Sequence, residues 1–382
     1  MTIRVRLALL LFCGFFSSVS ANAADPTLFK FGVCLSLTGE FQEAGKKALA
    51  GVKLRVDDYN ADPGNPFRLE IVVRDDESLH DNAAKIVEEL AAKNIPAIVG
   101  PLSTNLMLTM REAAEKHGIV LISPTVTSPR IGKNNDWAFR LLFDDSFQGV
   151  ALARFIRSRL GYARAATIVN ERLAYSGSVA TMFDETFAKE GGEIVGRESC
   201  SWVANEDKVY DFAPLLERLA KAEPEIVLLP VNSTEVAAII RASLKTSLKT
   251  LFCGGDTWQH ENVLLSSGNN IENAFFISGV DFDSDTPAMR HYIELFDRSH
   301  DPYAKLTSVL GYDAASLLIR ALDNGTDSAS IKEGLYGIKD FELATGTITI
   351  DRERGSEKSA YIHRIEFGRE GFVSAIVDEI KP

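Results

Sequence analysis

From residue 29 onward the chain alternates between two hydrophobic periods. A mostly apolar run at 29–37 reads as a buried strand, and Ala48, Val52, Val56 and Tyr59 then recur every three or four residues, as one face of a helix does. Phe67, Leu69, Ile71 and Val73 alternate with other residues and predict a strand, while Ala84, Val87 and Leu90 predict the next helix. Strands over 95–99 and 119–122 flank a helix over 106–115. After an extended stretch at 138–143 the pattern restarts. Helices over 147–160, 176–189, 209–222 and 234–244 interleave with strands over 165–169, 193–198, 226–231 and 250–253. Such alternation implies βαβ units and parallel sheets, and two successive sets imply two lobes. A second extended stretch at 274–282 precedes helices over 287–298 and 307–322, and a hairpin pairing 346–351 with 360–367 is expected near the end.

The N-terminus sets the compartment. Arg4 and Arg6 precede an apolar run at 7–16, and Ala21, Asn22 and Ala23 form a small-x-small cleavage site, so residues 1–23 read as a secretory signal peptide. The run is about half the ~20 residues needed to span a bilayer. Cys13 lies inside it rather than at its end, which argues against a lipid-attached cysteine. A periplasmic location is expected.

Composition narrows the class. The chain has 382 residues, 46% hydrophobic and 25% charged, in keeping with two domains of roughly 100–200 residues each. The formal net charge is −12, and removal of the two signal arginines makes it more negative. No basic stripe interleaved with aromatics is present, which argues against nucleic acid as a partner. Cys34, Cys200 and Cys253 remain after cleavage, so at least one thiol has no partner within the chain. Cys34 and Cys253 lie in apolar strand-like runs and read as small buried hydrophobes, with a Cys200–Cys253 bridge left open. No nucleophile elbow, P-loop or His-Glu-x-x-His motif occurs, and the six histidines show no metal spacing. They read as solvated or capping residues, and the consecutive acids Asp57-Asp58, Asp75-Asp76 and Asp144-Asp145 read as loop or surface carboxylates. We expect no enzymatic activity, no metal and no cofactor.

Ligands of open parallel sheets bind outside the carboxyl ends of the strands. The residues just after the predicted strands are rich in hydroxyls: Ser36 to Glu40, Gly100 to Thr104, Ser123 to Thr127, and Gly254 to Trp258. Ser103 and Thr104 stand where a helix begins. They are either N-cap residues or, with the free N–H groups there, a carboxylate site. Thr127 is a loop hydroxyl or a second clamp on the ligand. Asp256, after two glycines, is a turn former or a carboxylate that pairs with an ammonium. Tyr175 and Trp258 are loop aromatics or an apolar wall of a pocket.

These segments, taken in order, resemble the branched-chain-amino-acid-binding family of periplasmic proteins that feed ABC importers. The resemblance rests on Gly-Val-Cys-Leu-Ser-Leu-Thr-Gly at 32–39, Arg-Asp-Asp-Glu-Ser at 74–78, Ala-Ile-Val-Gly-Pro-Leu-Ser-Thr at 97–104 and Leu-Ile-Ser-Pro-Thr-Val-Thr at 121–127. It also rests on Phe139-Arg140 with Asp145 and Gln148-Gly149, and on Gly-Tyr-Asp-Ala-Ala at 311–315. It implies an α/β type I periplasmic binding fold, two Rossmann-like lobes with parallel sheets joined by three hinge crossovers. Lobe one is expected to hold residues 24–142 with 278–345, and lobe two residues 143–277 with 346–382. The crossings are expected near Leu142, Ser278 and Thr345. The resemblance implies a ligand-binding set of Ser103, Thr104, Thr125, Val126, Thr127, Tyr175, Asn232 and Asp256. In it Thr104 and Thr127 hold an α-carboxylate, while the Thr125 carbonyl, Thr127 and Asp256 hold an ammonium. Tyr175 is similar to the second-lobe aromatic that closes over the ligand. Ala44 and Asn232 replace aromatics common in the family, so the expected ligand is an amino acid larger or more polar than leucine, or a related small carboxylate, captured by hinge closure. A monomer docking onto an inner-membrane ABC permease is expected, with a ligand sensor docking onto a receptor or kinase as the alternative.

Overall fold

The computed structural model describes residues 26–132, 136–202, 210–259, 261–299, 305–352, 355–369 and 371–382. The expected signal peptide lies outside the described residues, as do His260 and His300. The first lobe opens with β1 (Thr27–Leu35), α1 (Gln42–Ala61), β2 (Phe67–Asp75), α2 (His80–Ala92), β3 (Ala97–Val99), α3 (Thr104–His117), β4 (Val120–Ser123) and β5 (Ala138–Arg140). The second lobe follows with α4 (Asp145–Arg154), β6 (Arg164–Asn170), α5 (Ala174–Lys189), β7 (Glu193–Cys200) and α6 (Ala213–Ala220). It continues through β8 (Ile226–Leu228), α7 (Ser233–Ser243), β9 (Leu251–Gly254), α8 (Glu261–Ser266) and β10 (Phe275–Ser278). The chain returns to the first lobe for α9 (Pro287–Ser299), α10 (Lys305–Ala321), α11 (Ser328–Tyr336), β11 (Phe341–Leu343), β12 (Gly346–Asp351) and β13 (Gly355–Lys358). It ends in the second with β14 (Ala360–Gly368) and β15 (Gly371–Ile380).

The first sheet runs β2-β1-β3-β4-β5, all parallel. The second runs β15-β14-β10-β9-β8-β6-β7, parallel from β7 to β10 with β14 and β15 antiparallel. Inner strands β3, β4, β8 and β10 are buried along their whole length, the pattern of parallel strands covered on both faces. β2, at an edge, is only partly buried, which explains its alternating sequence. Helices α1, α9, α10 and α11 supply one core of the first lobe, and α2 and α3 the other. In the second lobe α6, α7 and α8 cover one face and α4 and α5 the other.

Two glycines let α1 and α10 approach backbone to backbone. A Cβ on Gly51 would lie 1.8 Å from the Ser308 carbonyl oxygen, and one on Gly311 would lie 2.2 Å from that of Ala48. Gly311→Val is therefore expected to destabilise the fold by about 1–3 kcal/mol through overpacking, read as a lowered urea midpoint.

The C-terminal pairing differs from expectation. Segments 346–351 and 360–367 do not pair. β12 instead joins β11 and β13 in a three-stranded antiparallel sheet, and β14 pairs with β15. Ile348 and Ile350 enter the first lobe's core. Buried Asp313 of α10 accepts hydrogen bonds from the Ala344 and Thr345 N–H groups at 3.0 and 2.8 Å, and the buried Lys358 ammonium donates to the Thr345 hydroxyl. Residues 346–358, expected in the second lobe, thus belong to the first, and the last crossing falls at Ser359 rather than near Thr345. The other changes of core fall between Leu142 and Phe143 and at Gly279, whose neighbours Ile277 and Val280 pack in different lobes.

Cys34, Cys200 and Cys253 are buried free thiols, so no Cys200–Cys253 bridge forms. His363, on β14, departs from the expectation of a solvated histidine. It is 4% exposed, its ring lies parallel to that of Phe276 at 4.6 Å, and neither ring nitrogen has a hydrogen-bond partner among the described residues.

Candidate functional site

Across the interlobe cleft the start of α3 meets the turn after β6, and the loop after β4 meets the start of α4. In the first lobe Ser103 is the N-cap of α3, its hydroxyl accepting from the Leu106 N–H at 3.2 Å. Thr104 is the first residue of that helix and is 8% exposed. The Ser123 hydroxyl ties the two loops together by donating to the Pro101 carbonyl at 2.6 Å and accepting from the Val126 N–H at 3.0 Å. Thr125 spends its hydroxyl on the Leu102 carbonyl, at 2.6 Å, and the Val126 side chain is in the core under α2 and α3. Thr127 is buried. Its carbonyl accepts from the Asp145 N–H at 2.8 Å, and its hydroxyl faces the Asp145 carboxylate.

The consecutive acids at 144 and 145 part company, correcting their reading as surface groups. Asp144 caps α4, its Oδ1 accepting from the Phe147 N–H at 2.9 Å. Asp145 is wholly buried and turns toward Thr127, Ser178 and Asp256. Asp76 is likewise fully buried, bound to the Ser36 hydroxyl at 2.5 Å.

Asp256 opens a short 3-10 turn after β9, and its N–H donates to Gln148 Oε1 at 3.2 Å. The two preceding glycines are needed because aromatics close over them. A Cβ on Gly254 would strike the Trp258 indole, and one on Gly255 would lie 2.0 Å from the Tyr175 hydroxyl. Trp258 is fully buried in the second lobe's core, donating from Nε1 to the Leu229 carbonyl at 2.9 Å, and so is no part of a pocket wall. Tyr175, the second residue of α5, is 9% exposed. Asn232 is the N-cap of α7, its N–H donating to Glu235 at 3.1 Å, and the neighbouring Val231 carbonyl accepts from the Thr257 hydroxyl at 2.7 Å.

Thr127, Asp145, Gln148, Tyr175 and Asp256 therefore converge. Both Asp145 oxygens, Asp256 Oδ1, the Tyr175 hydroxyl and Gln148 Nε2 are buried there, and none makes a well-aligned hydrogen bond among the described residues. Burial pushes the Asp256 carboxyl up to about 6, against the pull of Tyr175 and the Thr257 N–H. Burial also lifts Asp145 well above the usual carboxylate range, and the nearby Asp256 charge adds to it. Burial and both acids keep the Tyr175 phenol protonated, hence a donor. Neutral donors and two acids thus gather at one place, a set of groups chemically able to hold a small ligand carrying a positive charge. Asp145 and Gln148 were quoted in the resemblance but not assigned to the site. Their only signal was position, three residues apart at the start of a helix that follows a crossing.

The fold has counterparts. Residues 29–366 match the family model described as periplasmic binding protein. The "Leu/Ile/Val-binding protein homolog 3" of Brucella melitensis is 23% identical over 86% of this chain and 88% of its own. LivJ of Streptococcus pneumoniae, a branched-chain amino acid transporter substrate-binding protein solved with isoleucine, superposes with a TM-score of 0.81 at 24% identity, covering 93% of this chain and 100% of its own. A solute-binding protein of an ABC transporter from R. palustris, solved with 4-hydroxybenzoate, gives 0.80 at 17% identity over 93% and 97%. The family match spans both lobes, and this chain belongs to the periplasmic binding protein family.

Proposed function

We propose that this solute-binding protein captures an α-amino acid in the periplasm for an ABC permease, closing its lobes over the ligand without transforming it. The carrying observation is the neighbouring pair of carboxylates beside Thr127 of the first lobe: Asp145, which is buried, and Asp256, whose Oδ1 is buried without a hydrogen bond among the described residues. Thr104 and the free N–H groups of α3 receive the ligand carboxylate, and Thr127 spans both of its charged groups. Asp256 takes the ammonium, with the Thr125 carbonyl as a further acceptor. Asp145 keeps its proton, since two carboxylates beside one cation do not both ionise. Tyr175 covers the ligand from the second lobe, so contacts from both sides favour the closed state. A benzoate of the kind bound by the R. palustris protein would leave both acids without a cation. Ala44 and Asn232 leave room for a side chain larger or more polar than leucine.

A thermal-shift screen tests this reading: amino acids should raise the melting temperature and benzoate should not. The opposite outcome would sink it. Affinity should also fall as pH drops through about 6, because protonated Asp256 no longer pairs with an ammonium. Well below that value the loss approaches about tenfold per pH unit, measurable by titration calorimetry between about pH 8 and pH 5.

A further inference from the structure

Helix α5, which presents Tyr175, begins without a cap from its own lobe. Its N-cap position is Leu173, which has no side-chain acceptor. The first helical N–H, on Ala174, donates instead to Asn105 Oδ1 at 3.4 Å, and Asn105 Nδ2 donates to the Arg172 carbonyl at 2.9 Å. Asn105 belongs to the opposite lobe, on α3, one position after Thr104. A primary amide both accepts and donates, so one side chain engages both backbone groups of this turn. At the same lip Glu40 of the first lobe feels the positive field of Arg172 in the second.

We infer that Asn105 is a positioning residue for ligand capture: it caps α5 from across the cleft only when the lobes are closed, so that seating Tyr175 and closing the lobes become one event. This rests on the capture reading above, which assigns Tyr175 to the ligand. When the cleft opens, Asn105 returns to water and the first N–H of α5 loses its partner. The side chain then contributes to the closed state alone, and its energy appears in the affinity for whatever ligand the closed state holds. Thr104 and Asn105 divide one helix start between them, the first serving the ligand and the second the other lobe.

The test compares wild type with Asn105→Ala, using each of the twenty standard amino acids in turn. The expected result is a uniform loss of about tenfold in affinity for every binder, carried by faster dissociation, with the melting temperature of the ligand-free protein unchanged. Unchanged affinity overturns the inference. A loss that differs from one amino acid to the next also overturns it, since that marks a ligand contact, and so does a lower ligand-free melting temperature, which marks a structural role. Should wild type take none of the twenty, the capture reading fails separately. Amide exchange at Ala174 in protein locked closed by a covalent cross-link between the lobes then judges Asn105 alone: faster exchange in the variant upholds the cap, and equal rates overturn it.

Discussion

Asp256→Asn is expected to cost the protein most of its amino-acid affinity while making the ligand-free form harder to melt. The affinity loss follows from removing a charge-assisted hydrogen bond in a buried site. At about 1.5–3 kcal/mol that is roughly 10–150-fold. The gain in stability follows from the same burial. The folded-state carboxyl titrates near 6, above its ordinary 3.8, so its contribution to stability is full below 3.8 and is lost as pH rises through 6. At neutral pH the ligand-free protein therefore carries an ionised, desolvated acid, and a neutral amide of the same size relieves about 1–3 kcal/mol. Calorimetry reads both effects. Unchanged affinity would remove Asp256 from the ligand. Unchanged melting would mean that its charge is already balanced.

His363→Leu is expected to stabilise the protein and to flatten its response to acid. The imidazole stacks on Phe276 with both nitrogens lacking a partner among the described residues, and burial lowers its pKa from 6.5 to about 4. A histidine held neutral gives stability that is complete above 6.5 and is lost as pH falls toward 4, where the unfolded chain takes up the proton first. The loss over that window is about 3 kcal/mol. Leucine keeps the apolar contact without a protonation site. At neutral pH it also removes the cost of an unpaired buried polar group, about 1–3 kcal/mol. Urea melts at about pH 7 and pH 4.5 measure both effects. A variant as acid-sensitive as wild type would shift the acid response to other groups.

The alternation of periods made both lobes legible, because parallel strands buried on two faces leave continuous apolar runs and the helices between them keep one apolar stripe. The final pairing was not legible. Segments 346–351 and 360–367 alternate alike, and contacts distant in sequence, among them those of Asp313 with Ala344 and Thr345 and of Ile348 with the first core, decide which lobe keeps the first of them. Of the residues proposed for the site, Thr104, Thr127 and Asp256 stand out in the sequence by their places after strands. Asp145 could not be told from Asp144, since consecutive helical residues face directions about 100° apart and the sequence does not say which faces inward. Trp258 was misread because an aromatic after a turn has the same sequence appearance whether it lines a cleft or fills a core. Asn105 had no signal at all, because its partners are backbone groups of another lobe.

The narrow places where the chain changes lobes limit how the molecule moves. Leu142 and Phe143 are adjacent, Gly279 sits between residues of different cores, and Ser359 alone separates Lys358 from Ala360. Each linker offers only a few soft dihedrals, and Gly279 packs against both Leu142 and Phe143, so at least two of these strands lie side by side. Three short tethers permit swinging about a line drawn through them and resist sliding or pulling apart. Rotation about that line is therefore the motion these tethers favour.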